Sequence, residues 1–205
     1  GRMSVRKALT IAIVLTLLGV ISLYYLNPKT AMFGAISIFL YTSVYTPLKT
    51  KTPLAVFVGA FPGAIPFMLG WVAATNDFGI EPGTLFMIQF FWQFPHFWAI
   101  AWVGHEDYSN AGFRLLPSKD GERDYSAGLQ SFYFALMLIA VSLMPYFMGV
   151  TGIVSAIIVA SLGLIYAGYS WKLYKECTKE AALKLMFSSF VYLPIALIAL
   201  VIDKV

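Results

Sequence analysis

Seven stretches of this chain, residues 5–26, 31–46, 53–74, 83–103, 128–149, 152–171 and 184–203, are apolar over about the 20 residues that a helix needs to cross a hydrocarbon core. Only 12% of the 205 residues are charged, against about a quarter in a soluble domain, and the mean hydropathy is +0.77. Lipid must therefore replace most of the core that a soluble protein would bury. The expected fold class is all-α, a polytopic transmembrane helix bundle forming a single domain over 1–205. The first stretch follows Arg2, Arg6 and Lys7 as a signal peptide would. It is too long for a signal-peptide core and has no small-residue cleavage site before Asn27-Pro28, so it reads as a span. The single Cys177 excludes an intrachain disulfide and a cysteine-based metal site.

Lysine and arginine set the expected orientation. With the N-terminus inside, the inside segments hold Arg2, Arg6, Lys7, Lys49, Lys51, Arg114, Lys119, Arg123, Lys172, Lys175, Lys179 and Lys184, and the outside segments only Lys29 and Lys204. That asymmetry is a strong positive-inside signal, and it puts the C-terminus outside. The outside turns are short. The inside segment from Gly104 to Ala127 is the only long one, and long connections in compact proteins are usually functional or disordered; its His105, Glu106 and Asp107 favour function.

Four patterns could carry chemistry. Gln89, Gln93 and His96, at i, i+4 and i+7, share one helical face in a segment crowded with Phe90, Phe91, Trp92, Phe94, Phe97 and Trp98. Polar side chains at membrane depth either bond helix to helix or line a cavity that takes a polar or metal-bearing ligand. If the helix continues, Asp107 lies about 16 Å beyond His96, roughly half a hydrocarbon core. The second pattern, His105-Glu106-Asp107-Tyr108-Ser109-Asn110-Ala111-Gly112, is either a solvated helix end or a carboxylate site for Mg²⁺. Tyr41, Tyr45 and Lys49 repeat every fourth residue, either as an interfacial anchor or as a phosphate site, with Pro47 placing the helix beyond Thr46 in question. Gly59, Pro62, Gly63, Pro66 and Gly70 lie inside one span, where they either let helices pack closely or bend one around a cavity.

In order, the chain reads Tyr-Thr-Pro-Leu-Lys at 45–49, Gly-Ala-x-Pro-Gly-Ala-x-Pro at 59–66 with Gly70-Trp71, Trp-Gln-x-Pro-His-Phe at 92–97, and Asp-Tyr-x-x-Ala-Gly at 107–112 with Leu116-Pro117. This closely resembles the protohaem IX farnesyltransferase (haem O synthase) branch of the UbiA-type intramembrane prenyltransferases, over essentially the whole chain. The resemblance implies a nine-helix bundle whose active site opens to the inside. It implies Mg²⁺-dependent transfer of a farnesyl group from farnesyl diphosphate to a vinyl group of protohaem IX (haem b), giving haem O for terminal oxidases. Haem b is then a substrate, and Mg²⁺ the cofactor. Catalytic roles fall to Lys49, Asp107 and Tyr45. Substrate contacts fall to His96, Gln93, Gln89, Trp92, Tyr41, Tyr108, Gly112 and His105, with the metal on Asp107 or Glu106. The segment 104–127 would cap the site. The implied partners are the lipid bilayer and a haem A synthase, with no nucleic acid, in a bacterial inner membrane or else a mitochondrial inner membrane.

One departure stands out. The family's first two helices and its first Asn/Asp-rich motif have no counterpart here, so seven spans of an expected nine are present. With the opening Gly1-Arg2-Met3, a truncated chain, inactive by itself, is the expectation. Two other readings stand beside this one. A UbiA-type enzyme for a quinone precursor would leave the Trp-Gln-x-Pro-His-Phe block unexplained. A non-catalytic transporter or binding protein would more often show paired broken helices in two halves, whereas only the third and fourth spans look broken.

Overall fold

The computed structural model describes residues 3–118 and 120–205. Gly1, Arg2 and Lys119 lie outside the described residues, so two of the twelve cations assigned above to the inside carry no structural account. Among the described residues there is no strand, only an isolated bridge between Thr151 and Lys204.

Helix α1 spans Val5–Leu26, with Ser4 accepting the Lys7 amide at its start. Asn27 then caps α2 (Pro28–Phe39): its Oδ1 accepts the Thr30 amide and its Nδ2 donates to the Val72 carbonyl at 3.0 Å, pinning the turn to the next helix. The same rod continues as a π-helical turn, Leu40–Tyr45, and a last turn α3, Thr46–Leu48. Pro47 has no N–H to give to the carbonyl four residues back, and the helix widens just before it; the Thr46 amide reaches Tyr41 instead. Helix α4 is Leu54–Thr75 and α5 is Ile80–Val103. A short α6, His105–Asn110, opens the long loop. Helices α7 (Tyr125–Ser142) and α8 (Met144–Phe147), then α9 (Ile153–Glu176) and α10 (Lys179–Ile202), complete the chain.

The expected seven rods are present, with ends shifted by a few residues. Six of them are long and apolar enough to cross a membrane. The exception is α5, and its position explains it: 14 of its 24 residues are buried, because it packs against α4, α7 and α10 at once. Protein rather than lipid surrounds its glutamines and histidine. Helix α1 is the opposite case: none of its residues is buried, and most of its leucines and isoleucines are exposed.

Two ends follow from this up-and-down order. At one, the Arg114 amide donates to the Lys49 carbonyl and Tyr125 packs on Tyr174; the described inside cations gather there. At the other, Lys29 Nζ donates to the Asn76 carbonyl, and the Gly152 amide donates to the Asp203 carbonyl.

At Gly128 an added Cβ would fall on the backbone of Tyr174 in α9. Backbone cannot yield as a side chain can. Gly128→Ala is therefore expected to destabilise the bundle by about 1–3 kcal/mol in detergent unfolding, whereas Gly168→Ala, with open space around its Cβ, should be neutral or stabilising by up to about 1 kcal/mol.

Candidate active site

A cavity of about 500 Å³ lies between the α2 rod, α4 and α5 and opens at the cation-rich end. Tyr41, Tyr45 and Lys49 line one wall, Gly59 and Gly63 a second, and Gln93 with Phe97 a third. Tyr108 and Phe113 of the long loop close the mouth. From Lys49 down to Ser37 the α2 wall runs roughly 18 Å at the usual helical rise, so the space is a slot reaching into the bundle.

Each wall has a local cause. The π turn keeps Tyr41 and Tyr45 side by side, with ring centroids 5.3 Å apart and the rings tilted by 37°. Lys49 follows with its ammonium 5.9 Å from the Tyr45 ring and 4.8 Å from that of Phe113. Among the described residues Lys49 makes no ion pair. A cation held by aromatic faces at the mouth of an apolar slot is a site prepared for an anion.

On α4 the glycines are functional spacers. A Cβ at Gly59 would come within 2.8 Å of the Tyr45 ring, and one at Gly63 would overlap the Gln93 amide oxygen. Gly70, grouped with them by sequence, has open space about it. Pro66 cannot donate to the Pro62 carbonyl, and the Ser37 hydroxyl does so instead, at 3.2 Å from across the slot. Gln93 Nε2 donates to the Ala60 carbonyl at 3.0 Å and to the Gln89 carbonyl at 3.1 Å.

The polar residues of α5 do not all meet the cavity. Gln93 does. His96 turns toward α10, where its Nδ1 lies 2.7 Å from Ser189 Oγ and its ring stacks on Trp92 at 4.5 Å. Trp92 Nε1 donates to the Ser189 carbonyl, and the Tyr166 hydroxyl of α9 donates to the Trp92 carbonyl. Gln89 is buried, and its Oε1 has no partner. The three side chains share a broad face, but helices α4 and α10 divide it.

The helix does not run on to Asp107. It ends at Val103, and Gly104 separates it from α6. Asp107 and Glu106 are exposed, Glu106 lying 3.9 Å from Arg123. His105 Nε2 lies 3.5 Å from a Glu122 carboxylate oxygen. Gly112 adopts a left-handed φ of +77°, which turns the chain so that Phe113 returns over Lys49. Sequence reasoning missed Ser37, Phe97, Phe113 and Leu115 as lining residues. Ser37 was findable, since it extends the 41–45–49 ladder back by one step; the loop residues had no periodic signal.

A family profile described as "UbiA prenyltransferase family" matches residues 1–193. The chain is 61% identical, over its whole length, to a protein named protoheme IX farnesyltransferase from Christiangramia forsetii, and 60% identical to one of that name from Flavobacterium psychrophilum. In each case it spans 69% of the relative. A protein named protoheme IX farnesyltransferase 1 from Pseudomonas fluorescens is 38% identical over 99% of the chain and 68% of the relative. The fold is similar to that in a structure reported for digeranylgeranylglyceryl phosphate synthase, with a TM-score of 0.79 at 20% identity, covering 99% of this chain and 71% of that one.

The His96–Ser189 bond gives a direct test of the α5–α10 contact. Ser189→Ala should cost about 1–3 kcal/mol in detergent unfolding by leaving a buried imidazole nitrogen unpaired. In a His96→Phe background the same change should cost under about 1 kcal/mol, and equal costs in both backgrounds would show that the pair is not coupled.

Proposed function

The chain belongs to the UbiA prenyltransferase family, and from that premise we infer that it is an intramembrane prenyltransferase that transfers a farnesyl group from farnesyl diphosphate to a vinyl group of protohaem IX, giving haem O. The observation that carries this reading to particular residues is the Lys49 ammonium, unpaired among the described residues, over aromatic rings at the mouth of a largely apolar slot.

The diphosphate lies at the mouth on Lys49, and the isoprenoid tail fills the slot toward Gly63 and Ser37. Breaking the allylic C–O bond releases diphosphate, and Lys49 stabilises the charge that grows on it. The allylic cation left behind faces Tyr45 and Tyr41, whose rings attract it by roughly 0.5–2 kcal/mol. The haem vinyl group supplies the electron pair of the new C–C bond. Water then adds to the resulting cation and loses a proton, leaving a hydroxyethylfarnesyl side chain. Tyr108 and Phe113 keep other water from the cation before that step. His96, Gln89 and Trp92, on the adjoining face of α5, are assigned to the haem side; His105 and Gly112 shape the cap.

Enzymes of this family typically use a divalent metal to bind the diphosphate. We assign Mg²⁺. Among the described residues no three His, Cys, Asp or Glu side chains are grouped to hold a metal. Mg²⁺ commonly takes one or two carboxylates and completes its shell with phosphate and water oxygens. Asp107 and Glu106 would hold it, and it would supply further positive charge to the leaving diphosphate.

The protein is a multi-pass integral membrane protein; we place it in a bacterial inner membrane with the cation-rich end inside. A haem A synthase is the proposed consumer of its product.

Membranes containing the protein joined to the two N-terminal helices and the first Asn/Asp-rich motif of its family, given haem b, farnesyl diphosphate and Mg²⁺, should form haem O, read by chromatography and mass, and the chain by itself should form none. Prenylation of a quinone precursor instead would replace this acceptor. In that extended protein Lys49→Ala should lower kcat/KM about 100-fold, in the range for loss of one charge-stabilising donor, while costing no more in unfolding than the roughly 0.5–2 kcal/mol of its ring contacts. Wild-type turnover in that variant would remove Lys49 from the scheme.

A further inference from the structure

Ser189 does more than join two helices. Its hydroxyl has one proton, which it donates to the Met186 carbonyl three residues back in α10. Toward His96 Nδ1, 2.7 Å away, its oxygen is therefore an acceptor. That fixes the tautomer of the neutral ring: Nδ1 carries the hydrogen, and Nε2 keeps a bare lone pair.

Nothing among the described residues donates to that lone pair. Nor is it sealed in. Gln89 Oε1 and Trp98 Nε1, on the same helix, are enclosed atoms without partners, whereas His96 Nε2 is not among such atoms and stays accessible. The ring itself is firmly held. Trp92 stacks on it at 4.5 Å, and Phe97 and Phe190 meet it edge-on at 5.3 and 5.2 Å. Phe97 and Phe190 are 43% and 52% exposed, so they border open space rather than core. Phe97 also lines the slot, so the imidazole and the slot meet at one residue.

A contact that only tied α5 to α10 would need Nδ1 alone and would leave a lone pair unmatched at membrane depth, where that is costly. A ring clamped through one N–H with its other nitrogen bare is how metal-bound histidines are held: the outer partner fixes the ring and raises its basicity. His105 is placed differently, with its Nε2 already 3.5 Å from both Glu122 and Ser109. We propose that His96 Nε2 is an axial ligand to the iron of the haem acceptor, and that Ser189 is the residue that positions it. The inference rests on the haem reading above and adds how the acceptor is gripped. The bond is dative: the lone pair enters an open axial position of the iron, as histidine does in other haem sites, and no atom is transferred.

The test uses the protein joined to its family's two N-terminal helices, purified without a histidine tag and with any histidine in the added helices changed to Gln. His105→Ala then leaves His96 as the only histidine. With histidine labelled by ¹⁵N, electron–nuclear double resonance of bound ferric haem b should show a histidine nitrogen on the iron. Haem b should also bind tighter than iron-free protoporphyrin IX by at least about 10-fold. His96→Gly should abolish the signal and bring the two porphyrins level, and added imidazole should restore the preference for haem b. Ser189→Ala should weaken haem b about 10-fold, as loss of the outer partner of a metal-bound histidine does, and leave iron-free protoporphyrin unchanged; a serine with a merely structural role would weaken both alike. Should a variant not fold, the signal in the single-histidine protein decides. Its absence there, as when a donor in the added helices takes Nε2, would overturn the proposal even if haem O is formed. The signal without haem O would leave the ligation standing and remove the transfer reading instead.

Discussion

Hydrocarbon offers no hydrogen bonds, so a polar group placed at membrane depth is costly unless it finds a partner within the bundle. Helix α5 is where that constraint is most severe. Its Gln93 is bonded to the Ala60 carbonyl of α4, its Trp92 and His96 to Ser189 of α10, and its Trp92 carbonyl to Tyr166 of α9. Each such bond in a membrane protein contributes only about 0.6 kcal/mol net. Their effect is better seen in the alternatives, since an unpaired buried polar group costs about 1–3 kcal/mol. Rotating or sliding α5 would break several of these bonds together. The polar stripe therefore fixes which face of α5 meets each neighbour, and apolar packing supplies the bulk of the stability.

Around that fixed helix the cavity is made by local departures from regular helix. The π turn before Pro47 and the two bare glycines of α4 are each unfavourable in an ordinary helix, and the left-handed turn at Gly112 is one that glycine adopts without a steric penalty. Together they set three aromatic rings and one ammonium about a slot. All of them lie on the two helical rods and the loop that flank α5, none on α7, α9 or α10, where packing is tight and regular. The slot that holds Lys49 and the tightly packed α7, α9 and α10 thus occupy different sides of one helix.

The sequence makes the scaffold legible because spans are written in composition. Seven rods, their alternation, and the Tyr41–Tyr45–Lys49 ladder could all be read from apolar length and a four-residue repeat. The site is only half legible. Three residues at 100° each leave about 60° between Gln93 and His96, which looks like one face on a helical wheel. In the bundle 60° is enough to send Gln93 to α4 and His96 to α10. Nor does periodicity reveal that Gly104 ends the helix before Asp107, or that Phe113 folds back over Lys49. Those depend on tertiary contacts of an aperiodic loop.

That loop also sets what happens to Lys49. Its backbone carbonyl accepts the Arg114 amide at 2.8 Å, while its ammonium rests on Phe113. The same loop segment therefore grips both ends of the residue. The ring contact is worth roughly 0.5–2 kcal/mol. A phosphate oxygen about 4 Å away near a protein surface offers about 4 kcal/mol per charge pair, and a diphosphate carries more than one charge. The anion wins. Lys49 would leave Phe113 for the substrate while its backbone stays tied to Arg114, so the ring is released without the loop letting go. Substrate charge and mouth closure are then set by the same lysine, which is why a residue two positions past a proline carries so much of the site.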